Sequence, residues 1–415
     1  MSEIINEPIV LDSTAREILA SMNRQNGYLS MIAEGRRSEI YNSMSQIAGI
    51  VRSNSVENNE SIFPVGDQII APWKDMDDSA HNTNETAYQV QWNVVRHGLV
   101  TLQTGEVVPG MFLQMHKCSA YGVQFSHCQA FYACPDGLAA GTYYVTFGSS
   151  WGSKGANVGT SWNFTLTQEV PAGGLLSGFE SLPDVATSSF TVKSWASASA
   201  ESPIETVAVS SGAAGTDLGT MQYTTASDGS PNCMQKVGYG SNRWGTCAVR
   251  QYLNAKGLNW FTPKEKFDIR PDQFNKHGFM SGFDDDFLSA IKPVKITTAL
   301  NTVEGFDKTT EDTFDTFFLP SLEQMNIVPQ LADVEGPYFE YWRQRGGVDH
   351  LLAQYGTYPA YKTPAINSES PQGVRLRSAL RGNAYGTWYV NTSGNVSYYL
   401  YASFAFRFSP VCVIC

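Results

Sequence analysis

Gln89-Val90-Gln91-Trp92-Asn93-Val94-Val95 alternates polar and apolar side chains before closing on an apolar pair, and its period decides the fold class. Successive side chains of a strand point to opposite faces, so a period of two predicts a half-buried β-strand. Met111-Phe112-Leu113-Gln114-Met115 and Gly141-Thr142-Tyr143-Tyr144-Val145-Thr146-Phe147 alternate or run apolar between Gly and Pro punctuation. Ser161–Thr167 and Ser189–Trp195 extend the series. Short strands with no intervening helical stretches favour an antiparallel β-sandwich or jelly roll over a parallel α/β sheet. Residues 197–219 are small, polar and Gly-rich, which predicts a domain boundary near residue 215.

On the N-terminal side, residues 13–52 carry the one long helical pattern. Thr14-Ala15-Arg16-Glu17 fits a capping box, in which hydroxyl and carboxylate satisfy free backbone amides. Apolar residues follow at Ile18, Met22, Leu29, Ile40, Met44, Ile47 and Val51, the last four in coiled-coil spacing. Two readings stay open: a helix packed on its own chain, or one that associates with copies of itself. On the C-terminal side, Thr246–Ala255 reads as a short amphipathic helix ended by Lys256-Gly257. Asp284-Asp285-Asp286 opens another, with acids at its positive end. The expected architecture is α+β multidomain. It has a helical oligomerisation or attachment segment (1–60), a β-sandwich (61–215) and a third domain (216–415).

The 415 residues carry 39 acidic and 28 basic side chains, a net charge of -11. That balance argues against nucleic-acid binding, which needs clustered Lys and Arg. No apolar run is long enough for a membrane-spanning helix, and Met1–Glu7 lacks the basic-then-apolar order of a secretory signal. Seven cysteines in a chain of this size read as reduced, buried thiols of a protein made in a cytoplasm.

The C-terminal stretch is unlike the rest. Residues 374–415 contain four arginines (Arg375, Arg377, Arg381, Arg407) and no Asp, Glu or Lys, so they sum to +4 against -15 for the remainder. The same stretch holds nine aromatics: Tyr385, Trp388, Tyr389, Tyr398, Tyr399, Tyr401, Phe404, Phe406 and Phe408. Tyr among Ser, Gly and Asn is the composition of an antibody-like paratope, with stiff aromatic contacts and adaptable small residues. A terminal core strand rich in aromatics is the alternative.

Trp244-Gly245-Thr246-Cys247-Ala248-Val249-Arg250-Gln251-Tyr252-Leu253-Asn254 is similar to the W-x-x-S-x-hydrophobic-R-x-aromatic-L-N signature of a C-type-lectin-like (formylglycine-generating-enzyme-like) domain family common in phages, with Cys247 where the pattern has Ser. Phe317–Ser321, Tyr338–Arg343, Arg375–Ala379 and the ending Arg407–Ile414 resemble further landmarks in the same order. Phe63–Asp67 and Gly141–Tyr144 resemble the middle domain of such proteins. The whole, over about residues 60 to 415, resembles a variable protein of a diversity-generating retroelement, in which a reverse transcriptase randomises adenines near the 3′ end. AAC and AAT codons mutated at adenine never give Lys, Glu, Gln, Met or Trp. Of the 415 residues 63 are Lys, Glu, Gln or Met, yet none lies in the 31 from Ser378 to Phe408. Trp388 must then be an invariant scaffold position, together with Asn383, Ala384, Val390, Asn391, Gly394, Asn395, Val396, Ala402 and Ala405.

The resemblance implies a C-type-lectin-like third domain presenting Leu380, Arg381, Gly382, Tyr385, Gly386, Tyr389, Ser397, Tyr398, Tyr399, Leu400, Tyr401, Phe404 and Phe406 as variable, outward-facing ligand-binding residues. It implies a phage virion location, a host cell-surface protein or glycan as ligand, and other virion proteins as partners of the N-terminal segment. A homo-oligomer, a trimer by preference, would add avidity. The alternative is a purely structural decoration or baseplate protein whose aromatic terminus packs on neighbouring subunits.

Catalytic readings are weaker, and no enzyme, cofactor or metal is expected. The six histidines show no metal-binding spacing, and Cys412 and Cys415 form a C-x-x-C with no second pair. Asp284-Asp285-Asp286 is better suited to helix capping than to Ca2+. Gly148-Ser149-Ser150-Trp151-Gly152 fits G-x-S-x-G, but a Gly-rich loop follows where a nucleophile elbow needs a helix.

Overall fold

The computed structural model describes residues 43–75, 87–128, 131–148, 159–179, 189–197, 200, 202–221, 240–264, 268–271, 276–302 and 306–415. The protein is mostly β-strand with few helices, 42% against 16%. The stretches with period two are strands: Ala87–Thr101, Val107–Met115, Gly141–Phe147, Ser161–Leu166 and Ser189–Trp195. The serine of the G-x-S-x-G match falls in 149–158, outside the described residues.

These strands do not share one sheet. Gln68–Lys74, Ala87–Thr101 and Val107–Met115 pair antiparallel in sequence order, and the next strand is the C-terminal Val411–Ile414, followed by Phe317–Phe318. Cys412 lies opposite Leu113 and Ile414 opposite Met111. Val411-Cys412-Val413-Ile414 is apolar on both sides, and all four residues are fully buried, as a central strand covered on both faces must be. One apolar core runs from Ile47 and Trp92 through Trp244 and Phe317 to Ile414.

A second sheet has seven strands and its own core. Its order is Thr216–Met221, Gly141–Phe147, Ser161–Leu166, Glu205–Ser211, Ser189–Trp195, Gly174–Ser177 and Phe131–Cys134. Alternate residues such as Val145, Phe147, Trp162, Phe164 and Leu166 fill that core. The expected start of the sandwich at residue 61 is therefore corrected, while the boundary near 215 falls just before the last strand of this sheet, Thr216–Met221. The 61–215 block is not one sandwich: its first three strands belong with the C-terminal third, and the seven-stranded unit is inserted between them. Alternation marks a strand without naming its partner, and here the partners lie some 300 residues apart.

Of the helix expected over residues 13–52, Met44–Ser53 is α-helical, and residues 13–42 lie outside the described residues. Its seam positions Ile47 and Val51 are buried in the core of their own chain, so this segment offers no seam to a second copy. Ser43 caps the helix by accepting from the Gln46 amide at 3.3 Å. Asp286 accepts from the Met44 amide at 2.6 Å and from the Ser45 hydroxyl at 2.9 Å. Asp284 caps its own helix, Asp285–Ala290, through the Phe287 amide at 2.8 Å. The acidic triplet thus serves two helix starts.

Slight burial raises the Asp286 pKa, but hydrogen bonds from Met44 and Ser45 outweigh it and hold the group below its ordinary 3.8. A carboxylate with a depressed folded pKa stabilises above its unfolded value, and that contribution is lost as pH falls through the folded one. Asp286→Ala is expected to cost about 1 kcal/mol of cap energy. The check is faster amide exchange at Ile47–Val51. Wild type should approach the variant's rate when acidified below the ordinary Asp range.

Candidate recognition site

The C-terminal aromatics sit on and beside a three-stranded antiparallel sheet, Val374–Ala379, Gly386–Val390 and Val396–Tyr401. Every residue of the first strand is buried, including two arginines. A buried guanidinium is tolerated only where its donors are answered. Arg377 donates to the Leu319 carbonyl at 2.9 Å, to Gln324 Oε1 at 2.5 Å, to Thr298 Oγ1 at 3.2 Å, and to the Glu335 carbonyl. Arg375 donates to Thr387 Oγ1 and to the carbonyls of Tyr401 (3.1 Å) and Phe404 (2.8 Å). Its guanidinium lies between the rings of Phe125 and Phe406, 5.5 and 5.7 Å from their centroids. Burial pulls its pKa down to about 9, so it remains a cation at neutral pH. The Tyr401 and Phe404 carbonyls thus both face that cation, which fixes the backbone of the turn between them.

The neighbouring loops are fastened from below. Buried Asn242 donates through Nδ2 to the carbonyls of Asn383 (2.8 Å), Gly386 (2.9 Å) and Leu380 (3.1 Å). Asn383 Oδ1 in turn accepts from the amides of Tyr385 (3.0 Å) and Gly386 (2.6 Å). The other hairpin end is closed by Asn391 Oδ1, which accepts from the amides of Ser393 and Asn395, both at 2.9 Å. Asn395 reaches across to the Tyr355 carbonyl at 3.0 Å. At Gly394 φ is +85°, and a Cβ would stand 2.2 Å from the Tyr358 carbonyl oxygen. Only glycine fits there. Gly394→Ala is therefore expected to lose about 2 kcal/mol or more, seen as a lowered melting temperature and faster exchange at 391–396.

Eight of the thirteen expected face residues reach solvent. Phe404 is 46% exposed and Gly382 is exposed, while Arg381, Tyr385, Tyr389, Tyr398, Tyr401 and Phe406 are half-buried. They form three groups. Tyr401 contacts Tyr385 and Phe404, with ring centroids 5.8 and 5.2 Å away. Tyr389 meets Phe406 edge-on at 5.3 Å. Tyr398 packs with Trp388 at 5.7 Å and Tyr355 at 5.6 Å.

The remaining expectations need correction. Leu380, Ser397 and Leu400 are buried at 9%, 7% and 3% exposure, and Gly386 is also buried. Leu380 joins the main core, while the Leu400 carbonyl takes the Thr387 hydroxyl at 3.1 Å. Gly386 lies within the Asn383 turn, so these positions hold the sheet together and present nothing outward. Ala405, expected in the scaffold, is exposed. The side chain of Tyr399 lies outside the described residues. Tyr355, 53% exposed, was not expected. It reaches this region through Trp388, from a loop with no local signal of its own.

The signature around Trp244 is structural. Buried Asp315 accepts from Trp244 Nε1 at 2.9 Å, Arg250 Nε at 2.6 Å and Thr313 Oγ1 at 2.7 Å. Asn254 ties its helix to the following strand, accepting from Thr316 and Phe317 amides at 2.7 and 3.0 Å. Cys247 caps Ala248–Leu253 through Sγ, which accepts from the Arg250 amide at 3.4 Å, as a serine hydroxyl at an N-cap would. Cys118, Cys134, Cys247, Cys412 and Cys415 are buried thiols, and burial pushes Cys118 up to about 12 and Cys415 to about 11. Such thiols are poor nucleophiles. No group of metal-binding side chains occurs among the described residues, and no helix among them is long and apolar enough to cross a membrane.

Residues 228–414 match a family described as a domain of unknown function, DUF6273. No curated protein and no solved structure matches the chain.

Proposed function

We propose that this chain is a phage virion-associated binding protein whose C-terminal aromatic surface recognises a host cell-surface protein or glycan, without catalysis. We read its C-terminal unit as C-type-lectin-like and its face as diversified by a retroelement. The observation that carries the reading is the Tyr385, Tyr401 and Phe404 cluster, half-buried to exposed on turns and a strand end whose backbones are held by buried Asn242 and Arg375. Side chains there can change while the backbone stays fixed, which a diversified surface requires. Exposed aromatics of this size are costly unless a partner covers them.

The absence of Lys, Glu, Gln and Met from Ser378 to Phe408 supports the same reading. The test is the encoding DNA. A near-copy of the final segment, differing only at adenines and lying beside a reverse transcriptase gene, is the expected result. A locus with neither feature overturns the diversification.

A further inference from the structure

Arg96 lies on the long strand Ala87–Thr101, next to an irregularity in its pairing with Val107–Met115, and its register partner is Phe112. The guanidinium lies over the Phe112 ring, 5.5 Å from its centroid. It also lies directly above Gly98, where a Cβ would stand 3.0 to 3.1 Å from three guanidinium atoms. Ring and glycine together form a flat slot that holds the fork in one orientation. Unlike Arg375 and Arg377, whose donors are mostly answered, Arg96 has no acceptor and no ion-pair partner among the described residues. Burial lowers its pKa from the usual arginine value, with Tyr338 acting in the opposite sense. Its nitrogens still reach solvent at this half-buried position, so its donors are open to an incoming acceptor.

Arg96 borders a cavity of about 460 Å3, within the size range of small-ligand sites. Val65, Pro337 and Tyr338 give it an apolar wall. The other charges at its edge are mostly committed. Glu340 accepts from Arg343 at 2.6 and 2.7 Å, and Arg343 also donates to Asp349 at 2.9 Å. Glu60 is at the rim and exposed.

We propose that this cavity binds a small organic monocarboxylate, its carboxylate taken by the Arg96 fork and its apolar body resting on Val65, Pro337 and Tyr338. The planar guanidinium matches a carboxylate in bidentate fashion. One uncompensated cation near two acids, Glu60 and Glu340, suits a single negative charge better than a phosphate dianion.

The test is calorimetric titration of the full chain with sodium benzoate, and separately with inorganic phosphate. Saturable benzoate binding, stronger than that of phosphate, is expected. Arg96→Gln should weaken it at least ~10-fold. Gly98→Ala keeps the charge but pushes the guanidinium out of its slot, and should also weaken benzoate. Because the added methyl meets only the end of a flexible side chain, this variant should melt with wild type, and it carries the test if Arg96→Gln does not fold. No saturation by benzoate, affinity unchanged in a folded variant, or a preference for phosphate would each overturn the proposal.

Discussion

Arg377→Ala is expected to destabilise the C-terminal unit by about 3–5 kcal/mol, the usual cost of removing one partner from a buried charge network. Arg377 is 0% exposed and answers acceptors from three separate segments, at Thr298, at Leu319 and Gln324, and at Glu335. Without it, two acids stay buried at 3% and 7% exposure, Glu335 and Glu323. Glu323 is already strained in this sense: burial raises its pKa, and Asp333 and Glu335 amide bonds oppose the rise. At roughly 2–4 °C per kcal/mol for a unit of this size, the melting temperature should fall by about 10 °C. Arg377→Lys keeps the charge but not the fork, and should fall in between. A melting temperature for Arg377→Ala within two degrees of wild type would mean that the network does not hold these segments together.

Asp315→Ala is the second large effect, and of similar size for a different reason. The buried carboxylate is the meeting point of three donors, one of them the Arg250 guanidinium, whose side chain is 24% exposed. Its removal orphans the buried Trp244 indole N–H and a partly buried cation together. About 3 kcal/mol is expected, with near-ultraviolet dichroism of Trp244 lost ahead of global unfolding. Asp315→Asn keeps the volume and one acceptor and should lose less. If Asp315→Asn and Asp315→Ala are equally destabilised, the donors contribute little and the site is held by packing alone.

Both residues belong to the part of the molecule that sequence reading reached least well. The strands at 89–95, 111–115 and 141–147 were legible because a period of two is local. Helix Ala248–Leu253 was legible from its apolar spacing and the glycine after it. The pairing of Cys412 with Leu113 was not, because nothing in either strand names the other. For that reason sequence reading groups the strands from Gln68 to Met115 with the wrong sheet, whereas the boundary near residue 215 falls just before the last strand of the inserted unit, Thr216–Met221. In the candidate site Phe404 is exposed and Tyr401 and Tyr385 are half-buried, while Leu380 and Leu400 are core residues. Codon reasoning says which positions can vary and is silent on which side of a sheet they fall. Arg375 and Arg377 added to the local charge of +4, but both are buried: Arg375 holds the Tyr401 and Phe404 carbonyls, and Arg377 ties together Thr298, Leu319, Gln324 and Glu335. Tyr355 entered only through its contact with Trp388.

The central claim is that the Tyr385, Tyr401 and Phe404 surface is a recognition face on a fixed backbone. Its most direct test is deep sequencing of the segment encoding residues 378–408 across one population of close relatives. Substitutions should concentrate at Tyr385, Tyr389, Tyr398, Tyr401, Phe404 and Phe406. Leu380, Asn383, Gly386, Trp388, Asn391, Gly394 and Leu400 should stay constant, because each is buried or holds a turn. Constancy of Tyr401 and Phe404, or substitutions spread evenly over buried and exposed positions, would contradict the claim.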